Sequence, residues 1–272
     1  MKKKIALALA AMMMTGALTA CGGSKDTPAA SSGAASSDAA ASQTASSDTL
    51  VMGTNAAFPP YEFVDDNNEI AGIDAEIAQA IADKLGMTLE IKDMAFDSLI
   101  PALQSDTVDI VLASMTVTDE RKEAVDFTES YATGIQVVIV PENSEIASID
   151  DLEGKKIGVQ TGTTGDIYCS SAPEDGGYGE DAVARYDNGA LAVAALQNGQ
   201  VDCVVIDNEP AKAFVEANEG LKILDTEFTV EDYAAAISKE NTELLDKVNT
   251  ALAELKEDGT IDEIVGKYIK AE

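Results

Sequence analysis

One short pattern occurs twice in this chain, and it restricts the fold more than any other feature. Ala102-Leu103-Gln104, three residues and then Val108-Asp109-Ile110-Val111 is echoed by Ala195-Leu196-Gln197, three residues and then Val201-Asp202-Cys203-Val204. Each copy reads as the end of a helix, a tight turn and a buried parallel strand. Each is also preceded by a strand that opens into a polar loop, Met52-Gly53-Thr54-Asn55 in the first half and Val159-Gln160-Thr161-Gly162-Thr163-Thr164 in the second. The shared order of elements predicts two related α/β lobes. Ligands of such sheets sit beyond the carboxyl ends of the strands, so two facing lobes make a cleft.

The periodicity elsewhere fills in this outline. Leu50-Val51-Met52 reads as a strand, and Leu89 and Ile91 alternate with polar neighbours as another. Ile73, Ile77, Ile81 and Leu85 recur at four-residue spacing, which predicts a helix with one apolar face, closed by Gly86. Asp97 reads as an N-cap, with Pro101 in the first turn of the helix that follows. Asp150 to Gly154 reads as the entry to the second lobe, and Tyr233 to Ile237 as a strand. Helices are expected over Asn208–Asn218, Thr242–Glu257 and Thr260–Lys270.

Charge and missing residue types exclude several function classes. The chain has 49 acidic residues against 18 Lys and Arg, a formal net charge of -31. So acidic a surface repels phosphate backbones, and no nucleic-acid partner is expected. There is no histidine, which removes Ser-His-Asp and Cys-His catalysis and every His-containing zinc site. Three cysteines, Cys21, Cys169 and Cys203, are too few for a four-cysteine zinc site. Any enzyme here would have to work with carboxylates, Lys, Tyr or hydroxyls; no metal, no cofactor and no catalytic residue is expected. Cys169 and Cys203 read as unpaired core residues, with a disulfide as the alternative in an oxidising compartment.

The first fifty residues differ in texture from the rest. Met1 to Lys4 is a positive n-region, Ile5 to Ala17 a short apolar h-region, and Leu18-Thr19-Ala20-Cys21 follows. The apolar run is shorter than the roughly 20 residues needed to span a bilayer, so it reads as a signal peptide. Small residues followed by Cys resemble the bacterial lipobox, which implies cleavage before Cys21 and a lipid on it. Gly22 to Thr49 is almost all Ser, Ala, Gly, Thr and Asp, too poor in apolar surface to offset its ordering entropy, and reads as a tether.

Four positions stand out as ligand contacts in the cleft. Arg121 is one of two arginines, the other being Arg185, and follows the run Ala113 to Thr118 that leaves a buried strand. Its planar fork suits bidentate capture of a carboxylate; a surface ion pair with Asp119, Glu120 or Glu123 is the alternative. Thr161 to Gly165 lies before a helix start near Asp166, either as an anion site of backbone N–H groups or as a simple capped turn. Asp207 ends a strand at its carboxyl tip, where it either holds an ammonium group or caps the next helix. Phe58 forms a cleft wall or belongs to the core. One cation, one anion and hydroxyls on strand tips together are what a zwitterion requires.

With these residues in place, the chain resembles the bacterial extracellular solute-binding proteins for polar amino acids, from Leu50 to the C-terminus. The likeness rests on Gly53-Thr54-Asn55, Phe58-Pro59-Pro60-Tyr61-Glu62-Phe63, Gly72-Ile73-Asp74 and Phe96 to Leu103. It continues through Thr116-Val117-Thr118-Asp119-Glu120-Arg121, Asp126-Phe127-Thr128, Gly162-Thr163-Thr164, Asp207 and Asp258-Gly259-Thr260. The resemblance implies an α/β, two-lobed periplasmic-binding-protein fold of type II, its lobes joined by two hinge strands near Ala132 to Val138 and Val230 to Ala234. It implies a signal peptide over 1–20, a lipidated tether over 21–49, lobe one over 50–132 and 235–272, and lobe two over 133–234. A free amino acid, polar or basic, is the implied ligand and an ABC-transporter permease the implied partner. The implied protein is a monomer anchored through Cys21 to the outer face of the cytoplasmic membrane.

The implied roles place Arg121 and the Thr164 loop on the α-carboxylate, and Asp207 with Ser114 and Thr116 on the α-amine. Asn55, Phe58 and Phe96 face the side chain. Relatives for basic amino acids often carry an acid where Asn55 stands, and Gly165 replaces a larger polar residue found in some. Two other classes compete: a dehydratase-like cleft enzyme, for which Glu62 is the one candidate acid, and an amino-acid sensor domain.

Overall fold

Residues 49–225 and 228–270 are described by the computed structural model; the expected signal peptide, the expected lipid acceptor Cys21 and all of the expected tether but Thr49 lie outside them. Two sheets organise these residues. The first runs in the order β5 (Thr88–Asp93), β1 (Thr49–Thr54), β6 (Ile110–Val111), β14 (Ala236–Ser238) and β7 (Val125–Phe127). The second runs β10 (Val183–Tyr186), β9 (Ile157–Gln160), β11 (Cys203–Asp207), β8 (Ala132–Pro141) and β12 (Leu221–Ile223), with β13 (Thr229–Tyr233) also on β8. A small antiparallel sheet of β2 (Ala57–Phe58), β3 (Glu62–Val64) and β4 (Ile70–Ala71) flanks the first.

Each sheet holds a parallel trio with its first strand in the middle: β5 and β6 flank β1, and β10 and β11 flank β9. The repeated sequence lies in the same place in each trio. Asp109 donates its N–H to the Val51 carbonyl and accepts the Val51 N–H on Oδ2, both at 2.8 Å. Asp202 does the same with Lys156, at 2.8 and 2.7 Å. Each Asp thus uses its carboxylate in place of a main-chain acceptor, and the strand proper begins at the next residue.

The helices follow the apolar spacing. Helix α1 (Ile73–Leu85) buries Ile73, Ile77, Ala78, Ile81 and Ala82 and ends at Gly86, whose φ of 68° is the left-handed stop that glycine adopts without steric cost. Helices α2 (Leu99–Gln104) and α3 (Asp119–Ala124) belong with the first sheet, and α4 (Thr164–Ser170), α5 (Gly189–Gln197) and α6 (Asn208–Ala217) with the second. Helices α7 (Thr242–Glu257) and α8 (Thr260–Tyr268) return to pack on α1. The core is continuous through Leu50, Met52, Ile77, Ile110 and Leu252.

Several boundaries differ from the sequence reading. Asp97 lies within a single 3-10 turn, Phe96–Ser98, and Ser98 holds the cap position of α2 without a side-chain bond. Second-lobe structure begins at β8, well before Asp150; residues Ile149–Leu152 form a later 3-10 turn. The strand expected over Tyr233 to Ile237 is two strands, β13 and β14, one in each sheet. The break falls at Ala234-Ala235, where the chain crosses between lobes, and an apolar run shows no sign of such a crossing. Outward passage is through β8, which pairs with β13 from Ala132–Tyr233 to Gln136–Thr229. These two antiparallel strands are the hinge. Cys169 and Cys203 are both buried and free.

Candidate functional site

The carboxyl ends of β1, β6, β9 and β11 converge on one cavity. Its wall includes all eight residues singled out from the sequence: Asn55, Phe58, Phe96, Ser114, Thr116, Arg121, Thr164 and Asp207. A larger depression, lined by Leu50, Lys84, Leu85 and Leu244, lies at the start of β1, away from the strand tips where α/β sheets take ligands.

Arg121 is 7 % exposed and makes none of the ion pairs its acidic neighbours offered. The guanidinium donates instead to two main-chain carbonyls, Thr116 at 2.7 Å through Nη1 and Gly162 at 3.0 Å through Nη2. It also lies over the Phe96 ring, 5.3 Å from the centroid. Carbonyls and a ring face orient a cation without neutralising it, and leave N–H groups for an anion. Burial lowers its pKa somewhat, but arginine stays charged.

Asp207 stands at the N-terminal end of α6 but its side chain does not cap it. The carboxylate accepts from the Tyr233 hydroxyl instead, and is 6 % exposed. Its pKa is raised to about 7, first by burial and then by the charge of Glu231, against the lowering pull of its hydrogen bonds. A cation beside it would recover the cost of that burial.

The Gly162-Thr163-Thr164 loop begins α4 earlier than Asp166, with Thr163 as N-cap accepting from the Asp166 N–H. Asp166 is held by Arg185, whose Nε reaches both carboxylate oxygens at 2.8 and 2.9 Å, and by the Gly162 N–H at 3.0 Å. The second arginine is therefore a brace for this loop. Gly165 packs so closely that an added Cβ would meet Gln136 Oε1 at 3.1 Å and the Val205 carbonyl at 3.2 Å. A side chain there would push into the sheet.

Ser114 adopts φ 47°, a left-handed turn unusual for a residue with a side chain. Asp74 compensates by accepting the Ser114 N–H and the Tyr131 hydroxyl, each at 2.7 Å. Glu62 lies alongside, receives the Ser114 hydroxyl at 3.4 Å, and also lines the cavity. Burial and the neighbouring Asp74 charge raise Glu62 well above the ordinary carboxylate range. Phe58 serves both readings: it is packed in the core and one edge forms the cleft wall.

The sequence reading missed the residues that cross the cleft. Gln160 at the tip of β9 donates to Asn55 Oδ1 at 2.9 Å, and Asn55 donates in turn to the Met94 carbonyl at 2.9 Å. Glu231 and Gln136, on the two hinge strands, are buried, and Glu231 accepts from the cavity-lining Thr116 and Thr164. The Thr54-Asn55 and Val159-Gln160 loops were visible as strand ends, but nothing in a single chain pairs them. With Gln160 on Asn55 and Arg121 on Gly162, the two lobes touch directly.

Comparison with known proteins agrees with this geometry. The profile of bacterial extracellular solute-binding proteins, family 3, matches residues 50–271. The arginine-binding extracellular protein ArtP of Bacillus subtilis is 35 % identical, over 99 % of each chain. The glutamine-binding ABC-transporter protein GlnH of the same organism is 32 % identical, over 99 % of this chain and 98 % of its own. Among solved structures, an ancestral arginine-binding protein bound to glutamine superposes with a TM-score of 0.76 at 44 % identity, covering 82 % of this chain and 99 % of that one. A cation from α3 and an anion at the tip of β11 in one cavity, a two-strand hinge and a match over the whole folded part lead to one conclusion: the chain belongs to the bacterial extracellular solute-binding proteins, family 3.

Proposed function

We propose that this protein captures a free L-α-amino acid with a polar or basic side chain between its lobes and delivers it to an ABC-transporter permease. The observation that carries this reading is the pairing in one cavity of a buried, un-neutralised guanidinium, Arg121, with a buried carboxylate, Asp207. Relatives named for arginine and for glutamine support an amino acid as the solute. The α-carboxylate binds Arg121 and the N–H groups that begin α4; the α-ammonium binds Asp207, Ser114 and Thr116. Asn55, Phe58 and Phe96 face the side chain.

Lobe one comprises 50–132 and 235–272, lobe two 133–234, and the ligand stabilises the closed state because only that state completes both sets of contacts. Residues 1–20 are a signal peptide, Cys21 carries a lipid, and 21–49 tether a monomer to the outer face of the cytoplasmic membrane. The family is one of binding proteins, and the protein binds its solute without transforming it.

A thermal-shift screen of residues 45–272 against the common amino acids tests the solute, since a ligand bound only by the native state raises the melting temperature. Polar or basic amino acids are expected to raise it; a screen with no responder removes the reading. Membrane fractionation of Cys21→Ala is expected to release the protein, and continued tethering argues against the lipid.

A further inference from the structure

Glu231 lies on β13, 4 % exposed, in the strand that returns from the second lobe to the first. A single oxygen of it, Oε2, accepts three hydrogen bonds: from Thr116 Oγ1 at 3.0 Å, from Thr164 Oγ1 at 3.0 Å and from Gln136 Nε2 at 3.1 Å. Thr116 belongs to the first lobe, Thr164 opens α4 of the second, and Gln136 is on β8. One atom therefore joins both lobes and both hinge strands.

The same bonds fix what the cavity wall can offer. A threonine hydroxyl has one hydrogen and two lone pairs. Thr116 and Thr164 both line the cavity, and both have committed that hydrogen to Glu231. Toward a ligand they present lone pairs only, so they accept from N–H groups and repel carboxylate oxygens. Asp207 lines the same cavity and adds a third acceptor group to these two. Donors for an anion remain on the Arg121 side, and the main-chain N–H groups of α4 remain available.

We infer that Glu231 is a positioning residue that sets the polarity of the site: it turns the Thr116 and Thr164 hydroxyls into acceptors for the ligand's ammonium group, and does so fully only when the lobes are closed. The inference rests on the amino-acid reading above. It separates two roles of the Thr164 segment, whose hydroxyl faces the ammonium while its backbone faces the carboxylate. Opening the cleft carries Thr116 and Thr164 apart, so Glu231 must lose at least one of them. Recognition of the ammonium and closure are then one event.

The test compares L-arginine and L-glutamine with their counterparts lacking the α-amine, by calorimetry on wild type, Glu231→Leu and Glu231→Gln. Wild type is expected to prefer the amine-bearing ligand by about 100-fold or more, as sites built around a ligand N–H do. In Glu231→Leu the freed hydroxyls can donate, and that preference is expected to fall to within about tenfold. Glu231→Gln keeps an acceptor oxygen and is expected to retain most of the preference. A merely structural role would weaken both ligands of each pair equally, and an unchanged ratio in Glu231→Leu overturns the inference. Should that variant fail to fold, Thr164→Val, which is isosteric, is expected to reduce the ratio, and an unchanged ratio there is equally decisive. Wild type that binds none of the common amino acids removes the amino-acid reading itself, whereas wild type that binds one of them, compared with its amine-free counterpart, with an unaltered ratio in the variants removes this inference alone.

Discussion

The Tyr233 hydroxyl donates to the carboxylate of Asp207, joining the last residue of the returning hinge strand to the acidic tip of β11. The ring of Tyr233 is fixed in turn against Tyr61, edge to face at 5.4 Å. The acid that is to meet the ligand is thus held by the strand that must move when the cleft opens.

That arrangement gives ligand binding and stability opposite pH dependences. Burial raises Asp207 to about 7 and Asp74 to about 6, and raises Glu62 well above the ordinary carboxylate range. Each folded-state value lies above its unfolded one, so the folded state holds protons that the unfolded state releases. Stability is therefore fullest below about pH 4 as far as these groups go, and is lost as pH rises toward 7. An ammonium ligand needs Asp207 ionised, so affinity should strengthen over pH 5 to 7, by up to about tenfold per unit. Differential scanning fluorimetry with and without ligand should show the unliganded melting point falling while the ligand-induced shift grows. Parallel trends would remove Asp207 as the ammonium partner.

Arg121→Ala should abolish most affinity, by about 3–5 kcal/mol, because a buried carboxylate loses its charge partner. Arg121→Lys should recover little, since a single ammonium cannot span the Thr116 and Gly162 carbonyls and a ligand carboxylate at once. Calorimetry with near wild-type values for either variant contradicts the role.

The Glu62 and Asp74 pair predicts an asymmetry between two acids that look equivalent in sequence. Burial and the Asp74 charge favour the protonated form of Glu62, so the neutral isostere in Glu62→Gln should cost little stability. Asp74→Ala strands the Ser114 N–H and the Tyr131 hydroxyl, both buried, at about 1–3 kcal/mol each. Chemical denaturation of the two variants measures the difference; equal losses would mean that Glu62 is charged.

Gly134 pairs with Glu231 across the hinge, and a Cβ there would meet the Tyr233 hydroxyl oxygen at 1.8 Å. Gly134→Ala should displace Tyr233 from Asp207 and cost roughly 1–3 kcal/mol of stability by overpacking. It should also weaken ligand binding, mainly through faster release. Stopped-flow kinetics with an unchanged off-rate would show that the Tyr233 bond is dispensable.

Much of this was legible in the chain before folding, for physical reasons. Helix α1 announces itself through Ile73, Ile77, Ile81 and Leu85 and a glycine stop, all local signals. The Asp109 and Asp202 echo marks equivalent strands because the same carboxylate geometry recurs in both sheets. Arg121 was visible because arginine is rare in this chain, and Asp207 because a charged residue at a strand tip has few structural uses, although Arg121 proves to lie in α3 rather than in the loop after the strand. Glu231 was not: in Thr229 to Tyr233 it reads as one more acid beside Asp232, and only the fold shows that it points inward while its neighbour faces out. The split between β13 and β14 was hidden for a related reason, since Ala234-Ala235 is buried on both sides of the crossing and carries no turn residue.

The chain passes between its halves twice, through neighbouring strands locked in register over five residue pairs. A doubled, laterally bonded link resists shear and resists sliding, yet bends readily across its width. Rotation of one half on the other is thereby reduced to a single swing, and the two rims must meet again in the same alignment after every excursion.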